Sequence, residues 1–146
     1  MTNYDMMNSM PPLKLLFLST SVGPLGSGMG GGVELTLKNI GQALSDRNHN
    51  ITIVAPAGSV LQGFPVIEIP GRLQSTAQSE GREAWVAMPP ESVLANMWEY
   101  ARQVQADYDL ILNFAYDWLP FYLTPFFQAP IAHLVSMGSL TDEMDR

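Results

Sequence analysis

The sequence has no cysteine and little positive charge. Without cysteine there can be neither a disulfide framework nor a thiolate metal site, and no His, Asp or Glu cluster has the spacing of metal ligands. Seven Lys and Arg stand against 14 Asp and Glu, which gives a formal net charge of −7. Binding to DNA or RNA usually requires a concentrated basic surface, so we expect neither a metal nor a nucleic acid as partner.

Long apolar runs are also missing. The most apolar stretch, residues 118–127, is far shorter than the roughly 20 residues of a membrane-spanning helix, and two prolines interrupt it. Residues 1–12 lack both the basic and the apolar region of a secretory signal and are expected to form a disordered tail. We therefore expect a cytoplasmic protein without a membrane span, in which residues 13–146 form one domain.

Short apolar runs alternate with helical periodicity along the chain. Apolar spacing predicts one helix from Val33 to about Asn48 and another from Pro90 to about Asp107, with a short third helix over residues 120–128. Strands are predicted at 13–20, 51–55, 66–69, 110–114 and 131–136. This alternation predicts an α/β, Rossmann-like parallel sheet of order 3-2-1-4-5 with helices on both faces.

Smaller features of these elements can be predicted as well. Glu34 and Lys38 have the spacing of an i,i+4 ion pair, and Asn48 suits the left-handed conformation that ends many helices. The segment 71–88 has weak periodicity and is predicted to be a long loop. Its polar residues, including Gln74, are expected to be solvated, with Arg72 as a possible exception because it follows the end of the third strand.

Six of the ten residues from Gly23 to Gly32 are glycine. Such a loop lets main-chain amides approach a ligand closely, and because it leads into a helix N-terminus the expected ligand group is an anion, above all phosphate. A merely flexible surface loop is the alternative. The spacing of Gly26, Gly28 and Gly31 matches a dinucleotide-binding motif, but no acidic residue ends the second strand to hold a ribose, so a dehydrogenase is disfavoured.

The segment Pro24–Glu34, the helix end Ala43–His49 and the strand Ile51–Val54 together resemble the N-terminal domain of retaining GT-B glycosyltransferases related to glycogen synthase and sucrose synthase. Within that family, Gly23–Gly28 and Val54–Gly58 are most similar to cyanobacterial UDP-glucose:tetrahydrobiopterin glucosyltransferases. The resemblance covers almost the whole chain.

The resemblance implies two Rossmann-like domains facing each other across a cleft. This chain would be the acceptor-side domain, and the C-terminal donor-binding domain would be absent from it, so the chain alone is expected to be inactive. Gly30, Gly31 and Gly32 would approach the donor diphosphate. The reaction would transfer a hexose, glucose from UDP-glucose, to a small hydroxylated acceptor such as tetrahydrobiopterin with retention, and no further cofactor is implied. A non-catalytic module that binds a nucleotide or phosphate is the alternative.

Candidate acceptor-binding residues lie at or just after the carboxyl ends of predicted strands, at the edge where open α/β sheets bind ligands. Asp117 is the candidate catalytic residue, since a carboxylate there could orient or deprotonate an acceptor hydroxyl, although it could equally cap a helix. Tyr116 and Trp118 could stack on a planar acceptor. The other candidates for acceptor contact are Asn113, Arg72 and Ser136, the last standing where many relatives have a histidine. His133 and His49 are interpreted as structural.

Overall fold

A computed structural model describes residues 10–75 and 88–135. Residues 1–9 of the predicted tail, and Ser136, lie outside these ranges. The strands form one all-parallel sheet of order β3-β2-β1-β4-β5, which confirms the predicted order. The strands are β1 (Lys14–Leu18), β2 (Asn50–Pro56), β3 (Val66–Ile69), β4 (Leu110–Asn113) and β5 (Ile131–His133). The chain thus has the Rossmann-like fold expected from the alternation of its elements.

In the described part of the chain, three α-helices connect the strands: α1 (Gly31–Ser45), α2 (Val93–Val104) and α3 (Trp118–Leu123). Short 3-10 turns over Gln105–Asp107 and Thr124–Phe126 continue α2 and α3. Within the described ranges, no helix has the length and apolarity that crossing a membrane requires.

The hydrophobic core lies on both faces of the sheet because successive strand residues point to opposite sides. In β1, Leu15 and Phe17 pack with the apolar face of α1, while Leu16 and Leu18 pack with α2. Apolar side chains of α3 pack against the α2 side. Helices therefore cover both faces, as predicted, and leave the ends of the strands open to the connecting loops.

Both long helices begin at residues other than the predicted ones. Helix α1 begins at Gly31, two residues before the predicted start, and Asn48 adopts the predicted left-handed conformation with φ of 66°. Helix α2 begins at Val93 and not at Pro90, so the prediction for Pro90 was wrong. The Arg72 amide donates to the Glu91 carbonyl at 2.8 Å, and the Val93 amide donates to the Arg72 carbonyl at 3.0 Å. These bonds hold residues 91–93 against Arg72, and Glu91 has a left-handed φ of 55°, so the helix begins only at Val93.

Candidate functional site

Three loops meet at the carboxyl edge of the sheet, and a buried polar side chain from each takes part in one cluster. Ser21 follows β1, Gln74 follows β3 and Asp117 follows β4. Their residual exposure is 0%, 8% and 8%, respectively. The backbone N–H of Gln74 also donates to the backbone carbonyl of Ser21 at 2.9 Å, which ties the loop after β3 to the loop after β1. We call Ser21, Gln74 and Asp117 the polar triad.

Hydrogen bonds connect all three members of the polar triad. Gln74 Nε2 donates to Asp117 Oδ1 at 2.9 Å. Ser21 Oγ lies 3.0 Å from Gln74 Oε1 and 3.3 Å from Asp117 Oδ2, within donating distance of both. The three loops are therefore joined through one carboxyl group.

Burial raises the pKa of Asp117 from 3.8 to about 6, although the hydrogen bonds from Ser21 and Gln74 act in the opposite direction. Asp117 occupies the position before the first residue of α3, but its side chain makes no capping bond to the helix backbone. Its carboxyl group is therefore engaged in the polar triad, and the alternative of a helix cap does not describe its contacts. A carboxyl group with a pKa near neutrality, at the ligand-binding edge of an α/β sheet, is suited to exchanging a proton with a ligand.

The glycine loop continues from Ser21 to the N-terminus of α1, at the same edge of the sheet. Gly30 precedes the helix, and a Cβ built on Gly31 or Gly32 meets no atom within 4 Å. The first amides of a helix have no intrahelical acceptor and carry its positive end, so they suit an anion. The Gly31 amide, however, donates to the Gly28 carbonyl at 3.1 Å and is already occupied.

Glu34 lies in the first turn of α1 and contacts the glycine loop. Its carboxylate accepts a hydrogen bond from the Gly26 amide. The predicted pair with Lys38 is not present, since the salt bridge found in residues 10–75 and 88–135 joins Arg102 and Glu99. Glu34 therefore holds the loop against the helix and places negative charge beside Gly30, where a built Cβ would lie 3.5 Å from Glu34 Oε2.

Asn113 is fully buried at the end of β4, and its amide serves the protein interior. Nδ2 donates to the Ala115 carbonyl and Oδ1 accepts from the Ala115 amide, both at 2.9 Å. Asn113 Nδ2 also lies 3.0 Å from His133 Nδ1. The Asn113 side chain stabilises the turn that leads to Asp117. Because both its oxygen and its nitrogen already have partners within the protein, it is poorly placed to bind an acceptor.

Both histidines have structural contacts. His133 Nε2 lies 2.8 Å from Thr124 Oγ1, its ring stacks on Phe121 at 4.3 Å between centroids, and burial lowers its pKa. His49 Nδ1 accepts from the Leu13 amide at 3.1 Å, at the opposite edge of the sheet. These contacts agree with the structural interpretation of both residues.

The aromatic candidates flank Asp117 and are partly buried. Tyr116 packs against the core on the α1 side, and its pKa is raised first by burial and then by the charge of Asp117. Trp118 begins α3 and contacts Tyr122 edge-to-face at 5.3 Å between centroids. Arg72 has an exposed side chain two residues before Gln74. The structure thus brings Tyr116, Asp117 and Trp118 to the edge where a ligand is expected.

Sequence reasoning missed two members of the polar triad. Gln74 was expected to be solvated but is buried against Asp117, so that prediction was wrong. Ser21, the first residue after the predicted strand 13–20, is not singled out by the sequence. Neither residue has a local signal, because each is buried only when loops from distant parts of the chain meet. Among the described residues, no group of three His, Asp or Glu side chains could hold a metal ion.

No protein-family model and no curated protein sequence matches the chain.

Proposed function

We propose that this chain is the acceptor-side domain of a retaining glycosyltransferase that transfers a hexose from a nucleotide sugar to a small hydroxylated acceptor. One observation carries the proposal: the buried carboxyl group of Asp117 is bonded to Ser21, in the same connection that continues as the glycine loop. A buried carboxyl group and a helix N-terminus with open space beside it therefore belong to one edge of the sheet. Sugar transfer from a diphosphate to a hydroxyl can use both, the first to act on the hydroxyl and the second to stabilise the diphosphate.

In this proposal Asp117 acts on the acceptor. Its carboxylate orients the attacking hydroxyl or takes its proton, and a pKa near the working pH makes it effective in that role. The pKa of about 6 meets this requirement because the group is mainly ionised at neutral pH and still basic enough to accept a proton. Tyr116 and Trp118 offer flat surfaces for a planar acceptor such as tetrahydrobiopterin.

The N-terminus of α1 acts on the donor. As the bond between the sugar and the diphosphate of UDP-glucose breaks, negative charge develops on the leaving diphosphate. The Gly32 amide and the positive end of α1 would stabilise that charge, and the open space at Gly32 permits the approach. The sugar and the nucleotide base would be held by the second, C-terminal domain that the family resemblance implies, and UDP-glucose would be a substrate, with no other cofactor required.

The test uses the complete enzyme, meaning this chain joined to its donor-binding domain. Transfer of glucose from UDP-glucose to tetrahydrobiopterin is followed by chromatography under reducing conditions. We expect Asp117→Asn to abolish most turnover and Gly32→Ala to lower it by a factor of roughly 10², the scale observed when one donor to a developing anion is lost. Asn39→Ala, an exposed change on the same helix, is the matched control.

Two results would contradict the proposal. One is full kcat/KM in both Asp117→Asn and Gly32→Ala, and the other is saturable sugar transfer by the 146-residue chain without a second domain. Weak binding of tetrahydrobiopterin to the isolated chain, measured by calorimetry, is compatible with the proposal because the proposal assigns the acceptor contacts to this domain.

A non-catalytic module that binds a nucleotide or phosphate is the second candidate. The open space beside Gly31 and Gly32 favours it, since an anion could bind at α1 without any contribution from Asp117. The two candidates differ in the effect of Asp117→Asn. A simple binding module keeps its affinity for UDP or phosphate in that variant and shows no transfer in any form of the protein.

A further inference from the structure

The polar triad has more hydrogen-bond contacts than its hydrogens can serve when Asp117 is ionised. There are three contacts, one between each pair of side chains. Gln74 supplies one hydrogen to Asp117 Oδ1. The Ser21 hydroxyl has a single hydrogen, which must choose between Gln74 Oε1 and Asp117 Oδ2. Two hydrogens therefore face three contacts.

Protonation of Asp117 removes this deficit. A hydrogen on Oδ2 donates to Ser21 Oγ, Ser21 then donates to Gln74 Oε1, and Gln74 continues to donate to Oδ1. Each side chain in this closed ring donates once and accepts once. Because buried acceptors without a donor are costly, the ionised triad has a position that attracts one further hydrogen-bond donor.

We propose that the polar triad, with Asp117 ionised, is a subsite for one hydroxyl group of the bound acceptor. The ligand hydroxyl donates to Asp117 Oδ2, and Ser21 is then free to donate to Gln74 Oε1. This inference deepens the proposed function, on which it rests, because it identifies the contact that orients the attacking hydroxyl. Asp117 itself is 8% exposed.

The surroundings of the triad select a neutral donor over an anion. Burial is the largest influence on the pKa of Asp117, and no cation in the described part of the chain contributes to it. Among residues 10–75 and 88–135, the titratable group coupled to Asp117 is Tyr116, whose pKa is raised in part by the Asp117 charge. A ligand carboxylate or phosphate would meet an unbalanced negative charge here, whereas a hydroxyl supplies the missing hydrogen. The subsite therefore fits an alcohol.

The test measures the ionisation of Asp117 with and without ligand. The chain is labelled with ¹³C at aspartate carboxyl groups, and Asp117→Asn identifies the Asp117 signal. NMR titration between about pH 4 and 8 is carried out with the free chain, with tetrahydrobiopterin under reducing conditions, and with glycerol as a minimal hydroxyl probe. The signal of the exposed Asp107 reports any general effect of the additives on carboxyl groups.

We expect bound tetrahydrobiopterin to lower the Asp117 midpoint by about one pH unit, which corresponds to tenfold tighter binding above the midpoint than below it. Asp117→Asn should lose this binding at all pH values, because the Asn amide donates to Ser21 and closes the ring without a ligand. If tetrahydrobiopterin binds and the midpoint does not fall, the subsite is wrong although acceptor binding stands. If it does not bind but glycerol lowers the midpoint, the proposed acceptor is wrong and the subsite stands. No change with either probe overturns the subsite.

Discussion

Replacement of Asp117 by Asn should make the domain more stable at neutral pH. In the folded state Asp117 is 8% exposed and its carboxyl group contacts Ser21 and Gln74, and burial raises its pKa to about 6. Asn has nearly the same shape, carries no charge and can reproduce the hydrogen bonds of the protonated acid. It can accept from Gln74 and donate to Ser21, so no buried group loses a partner.

The size and direction of the effect follow from the pKa of Asp117. An unfolded chain releases this proton near the usual value of 3.8, while the folded chain retains it until about pH 6. Between these values the folded state binds more protons, so the contribution of Asp117 to stability falls as pH rises, and above about pH 6 the loss is constant. The difference between the two pKa values corresponds to about 3 kcal/mol. Asp117→Asn should therefore gain up to about 3 kcal/mol at pH 7.5 and almost nothing below pH 4.

Urea denaturation between about pH 3.5 and 8 measures this difference directly. Comparison with the wild type at each pH removes the contribution of His133, which is common to both proteins. Asp107→Asn removes an exposed carboxylate and controls for the change in net charge. Equal free energies of unfolding for wild type and Asp117→Asn at every pH, or a variant that is less stable at pH 7.5, would show that burial of the ionised Asp117 does not destabilise the fold. If Asp117→Asn is more stable than the wild type but no longer supports sugar transfer, Asp117 is a residue retained for function at a cost in stability.

Three further substitutions test the glycine loop and helix α2. Gly31→Ala places a side chain at φ of 54° and should lower the free energy of unfolding by about 1–2 kcal/mol, as should the control Gly63→Ala at φ of 90°. Both sites have open space around them, so a loss of UDP affinity by calorimetry in Gly31→Ala alone would be due to ligand contact. Equal UDP affinities in the two variants would argue against that contact. Glu34→Gln retains an oxygen for the Gly26 amide but removes the negative charge beside the N-terminus of α1. Phosphate should therefore bind several-fold more tightly to the variant. Weaker phosphate binding would mean that the charge of Glu34 organises the glycine loop. Ser92→Ala removes the hydroxyl that caps α2 and should lower the free energy of unfolding by about 1 kcal/mol in urea titration, whereas no change would show the cap to be unimportant.

Local pattern was sufficient to predict the framework of this fold. The run Leu15–Leu18 is apolar at every position because β1 is central and covered on both faces, so its pattern indicated a parallel strand. The start of α2 was predicted less well. Pro90 is a favourable first residue by local preference, but pairing of residues 91–93 with Arg72 delays the helix to Val93. Such long-range pairing leaves no trace in the local sequence.

The same distinction separates the glycine loop from the polar triad. A loop rich in glycine that leads into an amphipathic helix is visible in the sequence, because both features depend on neighbouring residues. The partner of Glu34 was not predicted correctly, since helical spacing favoured Lys38 whereas the folded loop presents the Gly26 amide. The partner of Glu34 is therefore set by the folded conformation of the glycine loop and not by the i,i+4 spacing along the helix.

The sequence by itself determined the alternation of strands and helices, the order of the strands and the position of the glycine loop, because these depend on apolar periodicity and on the short reach of backbone connections. Only the tertiary structure decided that Asp117 would share its carboxyl group with Ser21 and Gln74. These residues lie 96 and 43 positions from Asp117 along the chain, and burial, which raises its pKa, exists only once the three loops have met. Hydrophobic periodicity is a property of neighbouring residues, whereas the solvation of a carboxyl group depends on everything packed around it.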